Sequence, residues 1–132
     1  MGASNAASLG EVRYLALTTF RRDGRPVVTP VWPATVNGHL YVGTTNETGK
    51  VKRLRANPRV RVAPCNANGS RILGDWQEGS ARRIEDPALG QAFLAALQRK
   101  YGWQFLLVRL IYRMRGVYRN RSLYEIELHS TG

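Results

Sequence analysis

Apolar and polar residues alternate along most of this chain, in short runs that end at turn-forming residues. Two of these turns, Asp23-Gly24 and Asn37-Gly38, are of the kind that closes β-hairpins. Pro30 and Pro33 interrupt the second run, and because proline cannot donate to a sheet ladder, this strand is expected at an edge or a bulge. The pattern predicts six strands, at residues 12–20, 27–34, 39–44, 59–64, 71–85 and 117–128, the fifth bent or bulged at Gly74 and Gly79.

Two stretches between the strands have the apolar spacing of helices. Val51 and Leu54 lie one turn apart in a short basic helix that begins at Gly49. This helix ends at Asn57-Pro58, because the residue before proline is pushed out of the helical region. A second helix begins at Asp86-Pro87, where the acid caps the helix and proline takes the first helical position.

A third helix, predicted over residues 103–114, completes a helical pair before the last strand. Its apolar stripe contains Trp103, Leu106, Leu107, Leu110, Ile111 and Met114. A stripe of this kind normally covers a core or a dimer surface. It cannot span a bilayer, because the run is too short and Arg109 interrupts it, but peripheral contact with a membrane surface stays open.

The length of 132 residues suits one domain, and 43% hydrophobic residues are enough for a core. We expect residues 1–10 to form a flexible N-terminal arm and residues 11–130 to form a single domain. The first residues lack the basic start and apolar run of a secretory signal, so we expect a cytoplasmic protein. A lone cysteine, Cys65, and two distant histidines, His39 and His129, do not give a metal-ligand spacing, and no metal is expected.

Net charge is the strongest feature of the composition. The formal value of +11 favours anionic partners, which include nucleic acid, an acidic membrane surface and an anionic cofactor. The aromatic residues are not interleaved with the basic run, and no nucleic-acid-binding motif is present. A nucleic-acid-binding module is therefore the less favoured interpretation.

The short basic helix offers a candidate phosphate site. A helix start leaves N–H groups unpaired and carries a partial positive charge, both of which suit phosphate. Thr48 is placed to cap the helix, and the cations that follow it are Lys50, Lys52, Arg53 and Arg55. The alternative is a solvated basic helix on a generally basic protein.

Several short pieces of the chain, taken in order, carry a family resemblance. They are Leu17-Thr18-Thr19-Phe20, Asp23-Gly24-Arg25-Pro26-Val27, Thr29-Pro30-Val31-Trp32, Thr48-Gly49-Lys50, Asn57-Pro58-Arg59-Val60 and Trp76-Gln77-Glu78-Gly79-Ser80-Ala81-Arg82. Together they resemble the pyridoxamine-phosphate-oxidase-like flavin and deazaflavin oxidoreductases. Within that superfamily these motifs are most similar to those of the small enzymes that depend on coenzyme F-420, a deazaflavin. The resemblance covers the chain from about residue 14 to residue 128.

The resemblance implies a mainly β fold, a six-stranded split β-barrel with the short basic helix and the C-terminal helical pair. It also implies a homodimer with two cofactor sites at the subunit interface. The implied reaction is hydride transfer from reduced coenzyme F-420 to a conjugated or oxidised organic small-molecule substrate. No general acid or base stands out in the sequence, so catalytic residues stay unassigned, as suits an enzyme whose cofactor carries the chemistry.

The resemblance also implies roles for individual residues. The phosphate anchor is Lys50, helped by Thr45, Thr48, Gly49 and Arg53. The cofactor ring is lined, through backbone contacts, by Thr29, Pro30, Val31 and Trp32. Pro33 follows Trp32 where relatives often carry an aromatic residue, which leaves the wall of the substrate pocket undefined. For Trp76 three interpretations stay open: cofactor contact, packing across a subunit interface, or burial in the core.

Cations beyond those needed for one phosphate favour one cofactor over another. Coenzyme F-420 continues past its phosphate into a lactyl and oligoglutamate tail, which FMN lacks. Lys52 and Arg55, with Arg59 and Arg61 just after the helix, are available for such a tail, so we expect F-420 to bind in preference to FMN. Two alternatives stay open: an FMN-binding oxidoreductase, and a protein that binds a flavin or deazaflavin without turnover.

Overall fold

The computed structural model of this chain describes residues 6–45, 49–104, 107 and 121–129. The strands are β1 (Leu15–Phe20), β2 (Pro26–Val31), β3 (Pro33–Val36), β4 (His39–Thr45), β5 (Arg59–Pro64), β6 (Gln77–Ile84) and β7 (Arg121–Leu128). The helices are α1 (Ala6–Gly10), α2 (Gly49–Ala56) and α3 (Pro87–Tyr101). Both predicted hairpin turns are confirmed, since Gly24, Asn37 and Gly38 have the positive φ that such turns require.

The seven described strands form one antiparallel sheet, in the order β2-β1-β5-β6-β7-β4-β3. Its two edge strands, β2 and β3, are consecutive in the chain, and a single residue, Trp32, separates them. Val31 and Pro33 can be at most about 7 Å apart, so the two edges of the sheet meet at this point. We call Trp32 and Pro33 the corner.

The sheet has one strand more than the sequence predicts. The run at residues 27–34 is two strands, because the chain passes from one edge of the sheet to the other at Trp32. Pro30 and Pro33 lie one on each edge strand, which confirms the expected edge position of these prolines. An alternating pattern shows which face a residue takes but not which edge its strand occupies, so the split was not predictable from it.

The inner face of the sheet holds the larger hydrophobic core. In β5 the buried Val60 and Val62 alternate with Arg59 and Arg61, as predicted. The cluster consists of Leu9, Leu15, Leu17, Val31, Leu40, Val42, Val51, Leu54, Val60, Val62, Ala81, Tyr124 and Ile126. Two of these residues come from α2, so the basic helix is held on the inner side of the sheet.

Helix α3 forms a second cluster with residues of β3 and β4. This cluster consists of Ala34, Tyr41, Phe93, Ala96, Leu97 and Tyr101. The predicted start of the helix is confirmed, because Asp86 Oδ1 accepts a hydrogen bond from the Ala88 N–H at 2.9 Å and Pro87 lies in the first turn. The last turn of α3 reaches the corner, where Tyr101 contacts Trp32.

Strand β6 begins later than predicted. Residues 71–76 are not a strand, apart from an isolated bridge at Ile72, and regular pairing starts at Gln77. The bulge expected at Gly79 does not occur, since this residue pairs in register with both neighbouring strands. Gly79 instead allows the backbone of β7 to approach closely, because an added Cβ would lie 2.5 Å from the carbonyl oxygen of Glu127.

The first strand also begins late, at Leu15 rather than at residue 12. Before it, residues 6–10 of the segment expected as an arm form α1. Leu9 from this turn is only 1% exposed and belongs to the inner core. A single buried leucine among small polar residues is too little for a sequence pattern to reveal.

The predicted helix at 103–114 lies outside the described residues, apart from Trp103, Gln104 and Leu107. The side chains of Trp103 and Leu107 are exposed. The last strand is described from Arg121, so its predicted start at residue 117 also lies outside the described residues. In the part of the chain that is described, no helix has both the length and the apolar composition to cross a bilayer.

Candidate cofactor site

Helix α2 separates its four cations into two pairs. Its apolar side is anchored in the inner core. Lys50 and Arg53, one turn apart, are half-buried, whereas Lys52 and Arg55 are exposed to solvent. The structure therefore brings Lys50 and Arg53 together beside the sheet and leaves Lys52 and Arg55 on the outer flank.

A hydrogen bond ties Arg53 to β1. Arg53 Nε donates to Thr19 Oγ1 at 2.6 Å, and Thr19 is fully buried near the end of β1. The guanidinium also reaches back over the first residue of α2, because a Cβ added to Gly49 would lie 2.6 Å from Arg53 Nη1. A cation is thus held beside the N–H groups of the helix start, where an anion binds most favourably.

Like charges converge on this point. The pKa of Lys50 is lowered from its ordinary value, first by burial and then by the Arg53 charge. The pKa of Arg53 is lowered as well, first by burial and then by the charge of Arg21. Among the described residues neither Lys50 nor Arg53 forms an ion pair with a carboxylate. A bound anion would offset both the burial and the repulsion.

The predicted ring-lining residues, 29–32, run along the edge strand next to this anchor. Thr29 lies two residues beyond Val27, which is the ladder partner of Thr19. Residues on one face of a strand repeat about every 7 Å. Thr29 is therefore about 7 Å further along β2 than Val27, the residue opposite Thr19 and its bound Arg53. In the described sheet β2 has a single neighbour, β1, and part of its peptide groups therefore face away from that ladder.

The side chains of this segment take different directions. Thr29 Oγ1 donates to a carbonyl oxygen of β1 at 3.5 Å, and Val31 is buried in the inner core. Pro30 is exposed. Trp32 stacks on Tyr101, with ring centroids 4.3 Å apart and an interplanar angle of 14°. Because Val31 and Trp32 use their side chains for packing, the backbone of the segment is what they can offer a ring.

The remaining predicted site residues fall in separate places. Thr45 ends β4, where its backbone pairs with Arg121 of β7. Thr48 lies outside the described residues. Trp76 precedes β6 and is 41% exposed, so it is not a core tryptophan. An exposed indole at this position suits contact with a cofactor or with a second subunit.

Sequence reasoning missed two residues of the anchor, Thr19 and Arg21. A signal was present for the first, because two threonines lie next to the last residue of β1 and a buried hydroxyl needs a hydrogen-bond partner. Nothing in the pattern identifies that partner, since Thr19 and Arg53 are 34 positions apart. Arg21 follows the end of β1 directly, and its approach to Arg53 depends on how α2 packs against that strand.

Two other side chains that could take part in chemistry are His39, which lies beside a carboxylate, and Cys65, which is buried. Among the described residues, no three side chains of His, Cys, Asp or Glu come together as metal ligands. His39 Nδ1 lies 3.0 Å from Glu125 Oε2, a carboxylate that also accepts from Arg82 at 2.7 Å. Cys65 is buried, and burial raises the pKa of its thiol, which makes it a poor nucleophile.

The chain that folds into this antiparallel sheet, with α2 packed on its inner side, matches a known protein family. The family model for pyridoxamine 5'-phosphate oxidase matches residues 3–129 of this chain. The chain therefore belongs to this family, and the resemblance identified from its sequence is confirmed.

Solved structures share the fold over most of the chain. A conserved hypothetical protein from Mycobacterium tuberculosis has a TM-score of 0.73 at 22% identity, over 98% of this chain and 82% of that one. An F420 reductase has a TM-score of 0.57 at 21% identity, over 97% and 96% of the two chains. An FAD-binding protein from Mesorhizobium loti has a TM-score of 0.54 at 25% identity, over 92% and 83%. A comparison with curated proteins finds no match.

Proposed function

We propose that this protein is an oxidoreductase that uses coenzyme F-420 and transfers a hydride from the reduced cofactor to a conjugated or oxidised organic substrate. One observation carries the proposal: Lys50 and Arg53 are half-buried one turn apart at the start of α2, where Arg53 is held over Gly49 by its bond to Thr19, and burial together with the Arg21 charge lowers its pKa. Like charges this close are stabilised by a bound anion. The family resemblance supplies that anion, a cofactor phosphate next to a flat ring, and the likeness to an F420 reductase over nearly the whole chain supports the choice of cofactor.

The binding would be divided between two parts of the chain. The phosphate would take the N–H groups at the start of α2 together with Lys50 and Arg53, while Thr19 fixes the arginine. The ring would lie along the backbone of residues 29–32. When bound, the cofactor supplies the hydride, and the protein contributes proximity, orientation and exclusion of water.

The exposed pair on α2 supports F-420 as the cofactor. Lys52 and Arg55 lie on the outer flank of the helix that carries the anchor, where a flexible chain of carboxylates leaving the phosphate can reach them. Arg59 and Arg61 are less suited to this role, because both already pair with Glu78. Tail contacts at exposed cations should be weak individually and sensitive to salt.

FMN is the second candidate, because it also joins a phosphate to a flat tricyclic ring and would use the same anchor. The shared fold of the FAD-binding protein from Mesorhizobium loti supports a flavin as well. A protein that binds either cofactor without turnover needs the same site. The two cofactors differ at the tail, so the tail is where an experiment can separate them.

The test is a fluorescence titration of the purified protein with F-420, with its tail-less precursor that ends at the phosphate, and with FMN. We expect F-420 to bind most tightly, and its advantage over the precursor to shrink in Lys52→Ala and Arg55→Ala and at high salt. Arg99→Ala, which removes an exposed cation from α3, is the matched control. Equal affinity for F-420 and the precursor would contradict the proposed tail contacts. Tighter binding of FMN than of F-420 would indicate FMN as the cofactor. Turnover is tested by following the oxidation of the reduced cofactor by absorbance in the presence of a panel of conjugated acceptors.

A homodimer and a cytoplasmic location belong to the same proposal. Trp103 is 70% exposed and Leu107 is 50% exposed, and these two large apolar side chains are one helical turn apart in the sequence, a spacing that suits a surface covered by a partner. A second subunit would cover this surface and complete the cofactor site, and the proposed cofactor is an intracellular one. Light scattering at micromolar concentration should give twice the chain mass, and a monomer would contradict a site shared between subunits.

A further inference from the structure

The last turn of α3 is bonded to the corner of the sheet. Lys100 Nζ donates to the carbonyl oxygen of Pro33 at 2.7 Å, which is the first peptide group of β3. The same ammonium donates to the carbonyl oxygen of Gly10 at 2.7 Å, at the end of α1. One half-buried side chain therefore joins three elements that are far apart in sequence.

The next residue makes a second set of contacts around the same corner. Tyr101 stacks on Trp32, and its hydroxyl donates to the carbonyl oxygen of Arg13 at 2.6 Å. Arg13 in turn lies over the Tyr101 ring, 5.4 Å from its centroid. The ring is buried, with 4% of the residue exposed. The indole of Trp32 is thus held by a ring that is itself fixed at its far end.

The contacted residues, Trp32 and Pro33, are the last residue of the segment proposed to line the cofactor ring and the residue that follows it. Residues 29–31 form the end of the edge strand β2, Trp32 follows it, and an edge strand has ladder bonds on one side. Val31 is still paired with Leu15 of β1 and Pro33 is already paired with Val42 of β4, so Trp32 between them is the one residue of this segment outside both ladders. Contacts from other elements therefore help to determine where Trp32 lies. Tyr101 stacks on Trp32 and Lys100 bonds to Pro33, and neither residue is among the contacts that fix the Arg53 anchor.

We propose that Lys100 and Tyr101 are positioning residues, which hold residues 29–32 in place for the cofactor ring without touching the cofactor. This inference rests on the proposed function. It assigns the two ends of the cofactor to separate supports: α2 and β1 hold the phosphate, and the last turn of α3 holds the backbone that meets the ring. Loosening the corner should therefore weaken ring binding and leave the contribution of the phosphate unchanged.

The experiment compares F-420 with its deazaflavin nucleoside, which has the ring but no phosphate; FMN and riboflavin are the pair to use if the wild-type protein prefers FMN. In Lys100→Met the affinities for both members of the pair should fall by the same factor, roughly fivefold, since the hydrogen bond to Pro33 at the corner is lost together with the one that ties Lys100 to Gly10. The ratio between the two affinities, which measures the phosphate contribution, should not change. The induced circular dichroism of the bound ring should also decrease, because the ring is less firmly oriented.

Two further variants complete the design. Arg99→Met removes a neighbouring cation that is exposed to solvent and should leave affinities and ring signal at their wild-type values. Tyr101→Phe removes a single oxygen, keeps the stack on Trp32, and should give a smaller loss with the same unchanged ratio, even if Lys100→Met does not fold.

The outcomes separate the inference from the function on which it rests. Wild-type affinities and ring signal in folded Lys100→Met and Tyr101→Phe would overturn the positioning role alone, as would a loss confined to the phosphate contribution. Failure of the wild-type protein to bind either pair of ligands would overturn the proposed function, and the positioning role with it.

Discussion

Arg53 Nε donates a hydrogen bond of 2.6 Å to the hydroxyl of Thr19, a fully buried residue on the neighbouring strand β1. The bond fixes a guanidinium that the charges of Lys50 and Arg21 would otherwise push outward. A flexible arginine can turn toward solvent, but one held by a buried acceptor stays over the start of α2. The anchor is therefore preorganised for an anion, which lowers the ordering cost of binding.

Thr19→Val tests this relationship, because valine keeps the shape of threonine and removes the acceptor. We expect phosphate-dependent affinity to fall roughly three- to tenfold and the free energy of unfolding to decrease by about 1 kcal/mol, the usual net contribution of one hydrogen bond. Titration with the cofactor and urea unfolding measure the two effects. Thr18→Val is the matched control, since Thr18 is equally buried on the other face of β1 and should leave affinity unchanged. Similar losses in both variants would show that Thr19 acts only through packing.

Gly49→Ala should separate binding from stability. The added Cβ would lie 2.6 Å from Arg53 Nη1, so the guanidinium must move away from the helix start. The helix-favouring effect of alanine then opposes the weakening of the Arg53–Thr19 hydrogen bond, so we expect the free energy of unfolding to change little while cofactor affinity falls.

The control for that substitution is Gly90→Ala in α3, where an added Cβ meets nothing within 4 Å. This variant should gain about 0.5–1 kcal/mol of stability and bind the cofactor as the wild type does. If Gly49→Ala also binds normally, the position of the guanidinium over Gly49 has no part in anion binding.

The sequence predicted the parts of the fold that depend on local chemistry. The two hairpin turns, the N-cap at Asp86, the edge positions of the prolines and the alternation in β5 all follow from residues close together in the chain. The split of the run at 27–34 and the late start of β6 did not, because each depends on strands that are distant in sequence.

The same distinction applies to the candidate site. Lys50 and Arg53 were identified from a helix start and its charges. Thr19 was missed because its bond to Arg53 spans the space between β1 and α2, and the roles of Lys100 and Tyr101 at the corner depend on contacts with segments more than sixty positions away. Motif reasoning finds the groups that bind a ligand more readily than the groups that hold them in place.

Lys50→Ala should weaken cofactor binding and leave the fold intact. A charge-assisted contact to phosphate contributes roughly 1.5–3 kcal/mol, so the dissociation constant should rise about tenfold or more. Removing a cation that burial and Arg53 both disfavour should cost little stability. Lys52→Ala, on the exposed flank of the same helix, controls for the loss of net charge and should have the smaller effect. Unchanged affinity in folded Lys50→Ala would place the phosphate elsewhere.

Lys100 should make stability depend on pH in a direction opposite to that of a lysine in a salt bridge. Burial, opposed by the Glu11 charge and assisted by that of Arg13, lowers the pKa of Lys100 from 10.5 to about 8. Between these two values the unfolded chain binds more protons than the folded one, so the contribution of Lys100 to the free energy of unfolding rises as pH increases from about 8 toward 10.5. Below about pH 8 both states are protonated, and the cost of burying the charge is fully present.

Urea unfolding of the wild type and Lys100→Met at about pH 7.5 and about pH 9.5 checks the sign. Other groups titrate in the same range, among them Tyr101, whose pKa burial raises, but they are common to both proteins and cancel in the comparison. We expect the wild type to gain stability relative to Lys100→Met at the higher pH, because the neutral amine still donates to the carbonyl oxygens of Gly10 and Pro33 and no longer carries a buried charge. A constant difference between the two proteins would mean that Lys100 titrates as an ordinary exposed lysine, and a difference that moves the other way would mean that its charge is stabilised by the two carbonyls rather than disfavoured by burial.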